Sequence, residues 1–262
     1  MASATKNWVF VAIVLTVAAG SLAAGQNALA GPGPPPPDHY KIYEIDAPAA
    51  IFGEAVKATD QFSNYEFIVE GPLRLGVPTD KNGSGFIFPE LHYTWYAVDG
   101  EPAQPLRQVV YENQFGENVV QVRQPRWLLT PALKNQASPS LPLVNHYLCY
   151  DAVGGGLNIP ASLINQFGGE EVLLLDPKFF CNPVQKEHAG VLFPILNELD
   201  HLVCYDFTPH GTFAGISVGI VDQFVQTFGL PFESVLLCVP SEKTGVTPTD
   251  ESTWGKVKSI YR

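Results

Sequence analysis

Past residue 38, short runs along the chain alternate apolar and polar residues with a period of two, the period of a half-buried β-strand. Residues 39–45 (HYKIYEI) and 146–150 (HYLCY) predict a first strand. Residues 108–115 and 216–224 predict a second, and 119–123 and 171–175 a third. The 23 Pro and 23 Gly residues fall between and within these runs and leave little room for long helices. Residues 161–167 have the length of a helical turn, but their counterparts elsewhere in the chain read as strand. The fold class expected is all-β.

The runs recur. His-x3-Tyr occurs at His39/Tyr43, His92/Tyr96, His146/Tyr150 and His201/Tyr205, at steps of 53, 54 and 55 residues. Each is followed by an Asx-Gln-Phe triplet: Asp60-Gln61-Phe62, Asn113-Gln114-Phe115, Asn165-Gln166-Phe167 and Asp222-Gln223-Phe224. A Pro-x2-Lys element closes each unit, ending at Lys81, Lys134, Lys186 and Lys243. Three blocks in fixed order, four times over, mark four tandem repeats of about 54 residues. Such a unit rarely buries its own core, so copies must pack together. Pairs of repeats are expected to close as two pseudo-symmetric barrel or sandwich units, a β domain over 38–144 and another over 145–246. One fourfold assembly, such as a small propeller, is the alternative. The paired scheme follows from the cysteines, which are confined to the second half.

Those four cysteines allow three pairings. Cys149 and Cys204 share one slot, three residues after the His; Cys181 and Cys238 share another, two before the closing Pro. The first two repeats hold Ile42 and Gly76, then Trp95 and Leu129, in these slots, so both cysteines are lost together. The pattern predicts Cys149–Cys181 and Cys204–Cys238. Each bond would close a loop of about 32–35 residues and contribute roughly 3–4 kcal/mol.

Three segments bear on compartment. Residues 1–30 read as a signal peptide: Lys6, an apolar stretch from Trp8 to about Leu22, and Ala28-Leu29-Ala30 before Gly31. The apolar stretch is shorter than the ~20 residues of a spanning helix, and no later segment is apolar enough to span. Residues 31–37 form a Gly/Pro linker, and 247–262 a polar C-terminal tail with Trp254, Val257, Ile260 and Tyr261 at helical spacing. Loss of Lys6 leaves 14 Lys+Arg against 26 Asp+Glu. That acidity argues against nucleic acid and anionic membrane as partners, since both need clustered bases.

Candidate chemistry is sparse. His146-x2-Cys149 and His201-x2-Cys204 have metal-ligand spacing, but His39 and His92 persist without Cys, which favours a structural His. Asp80, Asn82 and Ser84 match the first half of a calcium loop; Leu91 then occupies position twelve, so a polar turn is the preferred reading. Trp95, Trp127, Tyr93 and Tyr111 could form an aromatic platform or a core. Glu170/Glu171 and Glu198/Asp200 are the acids a hydrolase could use. No catalytic set and no cofactor motif is legible, and the catalytic and cofactor assignments are none.

The third copy carries a family resemblance. HYLCY at 146–150, NQFG at 165–168 and FCNPVxK at 180–186 resemble an uncharacterised repeat domain of secreted bacterial proteins, over roughly residues 38–246. The fourth copy departs from it, with Leu202 for the first Tyr and a longer stretch between Pro231 and Cys238; the first two lack both cysteines. The resemblance implies a secreted β-rich domain and supplies no catalytic residues. The function expected is a secreted, extracellular or periplasmic, non-enzymatic β-repeat protein that is structural or binds an extracellular ligand or protein. An extracellular hydrolase acting on a polymer such as a polysaccharide is the alternative. N-terminal sequencing of exported protein should read from Gly31; a soluble intracellular product starting at Met1 would refute the signal peptide.

Overall fold

The structure, a computed structural model, describes residues 37–48, 51–99, 104–135 and 143–248. The signal-peptide segment and the tail from 249 onward lie outside them. Among the described residues there is no helix and there are thirteen strands. They are β1 His39–Asp46, β2 Ile51–Thr59, β3 Asn64–Lys81, β4 Leu91–Val98, β5 Arg107–Asn113, β6 Gly116–Lys134 and β7 His146–Gly154. Then come β8 Ile159–Asn165, β9 Gly168–His188, β10 Val191–Phe193, β11 His201–Thr208, β12 Val218–Val221 and β13 Gln226–Pro248.

All thirteen belong to one antiparallel sheet. Eight pair in the order β1–β3–β4–β6–β7–β9–β11–β13, and β13 pairs back onto β1. This corrects the expected split at residue 144. Strands of both segments share one sheet, with β6 paired to β7 and β1 paired to β13. The cysteine asymmetry behind that split concerns only what fills the ring.

The result is not a clean barrel, because the long strands β3, β6, β9 and β13 each change partners along their length. Their first halves make hairpins with β2, β5, β8 and β12; their later parts line the ring. The change of partner falls at Pro72, Pro125, Pro177 and Pro231, where register breaks. Proline has no N–H for a ladder, so a strand can bend there without losing a donor it would otherwise need to pair. Alternation alone reads two strands where one bent strand runs. The Asx-Gln-Phe triplets also differ from expectation. Their Gln-Phe pairs lie in hairpin turns outside the strands, and each Asx Oδ1 accepts from the Phe N–H two residues on, at 2.8–2.9 Å.

Inside the ring, the two slots identified from sequence meet across paired strands. Cys149 faces Cys181 and Cys204 faces Cys238, and both pairs are disulfides. The two bonds touch, with Cys181 Sγ 4.0 Å from Cys204 Sγ. The cysteine-free half fills the same core with Ile42, Leu129 and the fully buried Trp95. Gly76 makes room for that indole: a Cβ on it would lie 3.2 Å from Ile42 Cδ1 and 3.4 Å from Trp95 Nε1. The cysteine-bearing half is thus cross-linked where the other is filled by one large ring system.

Gly76→Val should overfill this site and destabilise by about 1–3 kcal/mol. Trp95→Ala should cost about 3–5 kcal/mol. Because the two side chains compete for one volume, the double variant should cost less than the sum. Denaturant titration of the three variants checks this.

Candidate functional site

The repeated side chains converge on four places, each formed by more than one copy. The amide of Gln114 (second copy) lies 2.6 Å from Nε2 of His39 (first). Gln166 reaches His92 at 3.1 Å, Gln223 reaches His146 at 3.3 Å, and Gln61 closes the circuit on His201 at 2.8 Å. Nδ1 of His92 and of His201 sits 3.0 and 2.9 Å from a backbone carbonyl, Glu90 O and Leu199 O. The imidazole N–H therefore donates there, and Nε2 accepts from the Gln amide.

The Lys of the copy that supplies the His completes the contact. Lys81 Nζ donates to Gln114 Oε1 at 2.9 Å, and Lys134 Nζ donates to Gln166 Oε1. All four Lys ammoniums lie over the next Phe in the same cyclic order: Lys81 over Phe115, Lys134 over Phe167, Lys186 over Phe224 and Lys243 over Phe62, at 4.5–5.6 Å. Each Phe also meets, edge-on, the Tyr of a third His-x3-Tyr block. The pairs are Phe62–Tyr150, Phe115–Tyr205, Phe167–Tyr43 and Phe224–Tyr96, with centroids 4.9–5.7 Å apart. The Asx beside the Phe takes the same Tyr hydroxyl. Tyr150 donates to Asp60 at 2.6 Å and Tyr96 to Asp222 at 2.7 Å; Asn165 and Asn113 donate to Tyr43 and Tyr205 at 2.9 and 3.0 Å.

Burial governs the electrostatics. It pushes His39, His92 and His201 down to about 4, with the neighbouring Lys adding to the effect, and His146 also falls. These imidazoles are neutral at pH 7. Burial likewise lowers Lys186 to about 7 and Lys243 to about 8, each opposed by the Asp it faces, Asp222 or Asp60.

Other candidate residues are scattered. Cys149, Cys181, Cys204 and Cys238 are all disulfide-bonded, and no group of His, Cys, Asp and Glu suited to a metal occurs among the described residues. Asn82 Oδ1 accepts from Ser162 N–H of β8 at 2.8 Å, and Ser84 Oγ accepts from Lys81 N–H within the turn at 3.2 Å; Asp80 lies beside them in β3. Tyr93, Trp95 and Tyr111 are core residues. Glu170 pairs with the buried Lys41.

Asp200 is different. It borders a cavity of about 370 Å³ shared with Glu112, Ser241 and Glu242. Burial raises its carboxyl to about 6, Glu242 adds to the rise, and Asn197, 2.7 Å away, opposes it. A second basin, about 430 Å³, lies by Arg74, Glu44, Asp151, Lys178 and Asp206. The Arg74 guanidinium stacks 4.3 Å over Trp127 and binds Glu44 at 2.7 Å. Sequence reasoning missed Arg74; its one signal is a charge between Leu73 and Leu75 in an apolar run.

A family model described as a repeat of unknown function (DUF7450) matches residues 92–240. The chain belongs to this family. The matched residues contain both disulfides and most of the groups that meet at the four contacts. No curated protein and no solved structure matches the chain.

A base whose folded pKa is depressed contributes stability that is present above its unfolded value, near 6.5. That contribution is lost as pH falls from about 6.5 towards 4. His92→Ala should therefore flatten the stability–pH slope in this window by up to one proton. At pH 7.5 it should also cost about 1–3 kcal/mol by stranding Gln166. Chemical denaturation at several pH values checks both, and an unchanged slope would refute the neutral-imidazole contact.

Proposed function

We propose that this chain is an exported, non-enzymatic β-repeat protein with a structural or binding role outside the cytoplasm. In this reading its four units of about 54 residues are equivalent and close in a cycle. One observation carries it. The side chains present in every copy — His, Asx-Gln-Phe, Tyr and Lys — face one another between copies and are used there. A motif engaged in this way maintains the ring, and ligand recognition falls to residues found in single copies. The two disulfides fit an oxidising compartment, and the signal-peptide reading of residues 1–30 supplies the route.

The Asp200 cavity is the preferred ligand surface, with three carboxylates and Ser241 at its wall. A cationic or hydroxyl-rich extracellular ligand suits such a lining. The same cavity supports the alternative, an extracellular polymer hydrolase. A carboxyl raised to about 6 beside Glu242 resembles an acid/base pair set apart by environment.

The readings separate in one experiment. Mature protein is incubated with a panel of polysaccharides and cationic peptides, and retention and cleavage are scored together. The binding reading expects retention without cleavage, weakened several-fold in Asp200→Asn. Turnover that Asp200→Asn abolishes would establish the hydrolase instead.

A further inference from the structure

The second strand of each copy leaves one edge facing away from its hairpin partner, and the four edges are treated differently. On β8 and β12 an Asn in left-handed conformation ends the incoming strand. Asn82 (φ 54) exchanges two hydrogen bonds with Ser162, and Asn135 (φ 54) two with Gly219, all 2.7–2.9 Å long. Pro160 further removes a donor from β8. On β2, β9 pairs only as far as Lys57, then turns back at Ala189-Gly190; a bulge at Gly53 interrupts the strand beyond. These are the devices that keep a sheet edge from recruiting another strand.

The β5 edge has none of them. It pairs with Ser241–Pro248 along its whole length, from Asn113 to Arg107, with one register shift between Lys243 and Gly245. Thr244 stands where the first two copies have the stopping Asn. The covering segment begins past residue 240, where the family match ends. The ring pairing of β13 with β11 stops at Ser241, so residues 244–248 can leave β5 without breaking it.

We infer that the β5 edge is an acceptor for an extended strand, and that Thr244–Pro248 of a second copy can fill it, linking copies by strand exchange. The contacts made between copies would be those already made within one. Exchange therefore costs little beyond loss of the intramolecular advantage and becomes favourable where copies are crowded. The occupant is a second molecule of this chain, because the segment that fits this edge is the chain's own residues 244–248.

A covalent trap tests this in the full-length mature protein. A Cβ built on Gly245 lies 3.8 Å from Val110 Cβ, a separation that a disulfide spans. Gly245→Cys protein is mixed with Val110→Cys protein at high concentration under a glutathione redox buffer. Mixed covalent dimer should form on the order of a hundredfold faster than between Gly245→Cys and the exposed control Glu171→Cys. The double variant, Val110→Cys with Gly245→Cys, should close within one chain and give no dimer. If the double variant closes but the mixed pair matches the control, the strand does not leave and the inference fails. If the double variant does not close, β5 is not covered as described and the inference fails as well.

Discussion

The fold depends on a three-copy contact in which the Phe of one Asx-Gln-Phe turn is held between a Lys and a Tyr from two other copies. Each component is modest. A net hydrogen bond contributes about 1 kcal/mol, a cation over an aromatic face about 0.5–1 at an exposed site and more when desolvated, and an edge-on aromatic pair about 0.5–1.5. The consequence lies in connectivity. Because Gln61 meets His201 and Gln166 meets His92, neither half of the chain can complete these contacts alone. That is the physical reason for one sheet in place of two independent halves.

Burial makes the polar part of this contact expensive to leave incomplete. A buried imidazole, amide and ammonium each need a partner, and the Gln amide offers an acceptor to Lys and a donor to His in one planar group. The two copies that use Asp in the turn place it near the two most depressed lysines, Lys186 and Lys243. The two that use Asn give Lys a Gln oxygen instead. The match is incomplete at one contact: the buried Lys186 Nζ, His146 Nδ1 and Gln223 Oε1 have no hydrogen-bond partner among the described residues, and the ammonium is offset only by the charge of Asp222 and the faces of Phe193 and Phe224.

The ring interior solves a different problem. Two facing slots per copy must be filled at close range, and they are filled by Ile42 with Gly76, Trp95 with Leu129 and two disulfides. Trp95 needs the space that Gly76 leaves, so the cysteine-free copies depend on one another as much as the cysteine pairs do. The bends at Pro72, Pro125, Pro177 and Pro231 let one strand serve both this interior and the outer hairpin layer.

Much of this was legible from residues alone. Period-two alternation gave the strands, the recurrence of His, Asx-Gln-Phe and Lys gave the repeat, and shared slots gave the cysteine pairing, because each is a local or in-register property that equivalent copies must repeat. What meets what was not legible. That Gln114 reaches back to His39 while Phe115 meets Tyr205 depends on how the strands of one sheet pair in three dimensions, and a linear spacing carries no such information. The cavity at Asp200 and the Arg74 stack on Trp127 arise where non-equivalent residues from distant strands come together, so no single segment could announce them. The sequence determined the strands, the recurring blocks and the cysteine pairing; only the tertiary structure decided which blocks meet, because a sheet whose last strand pairs with its first is a property of the whole chain at once.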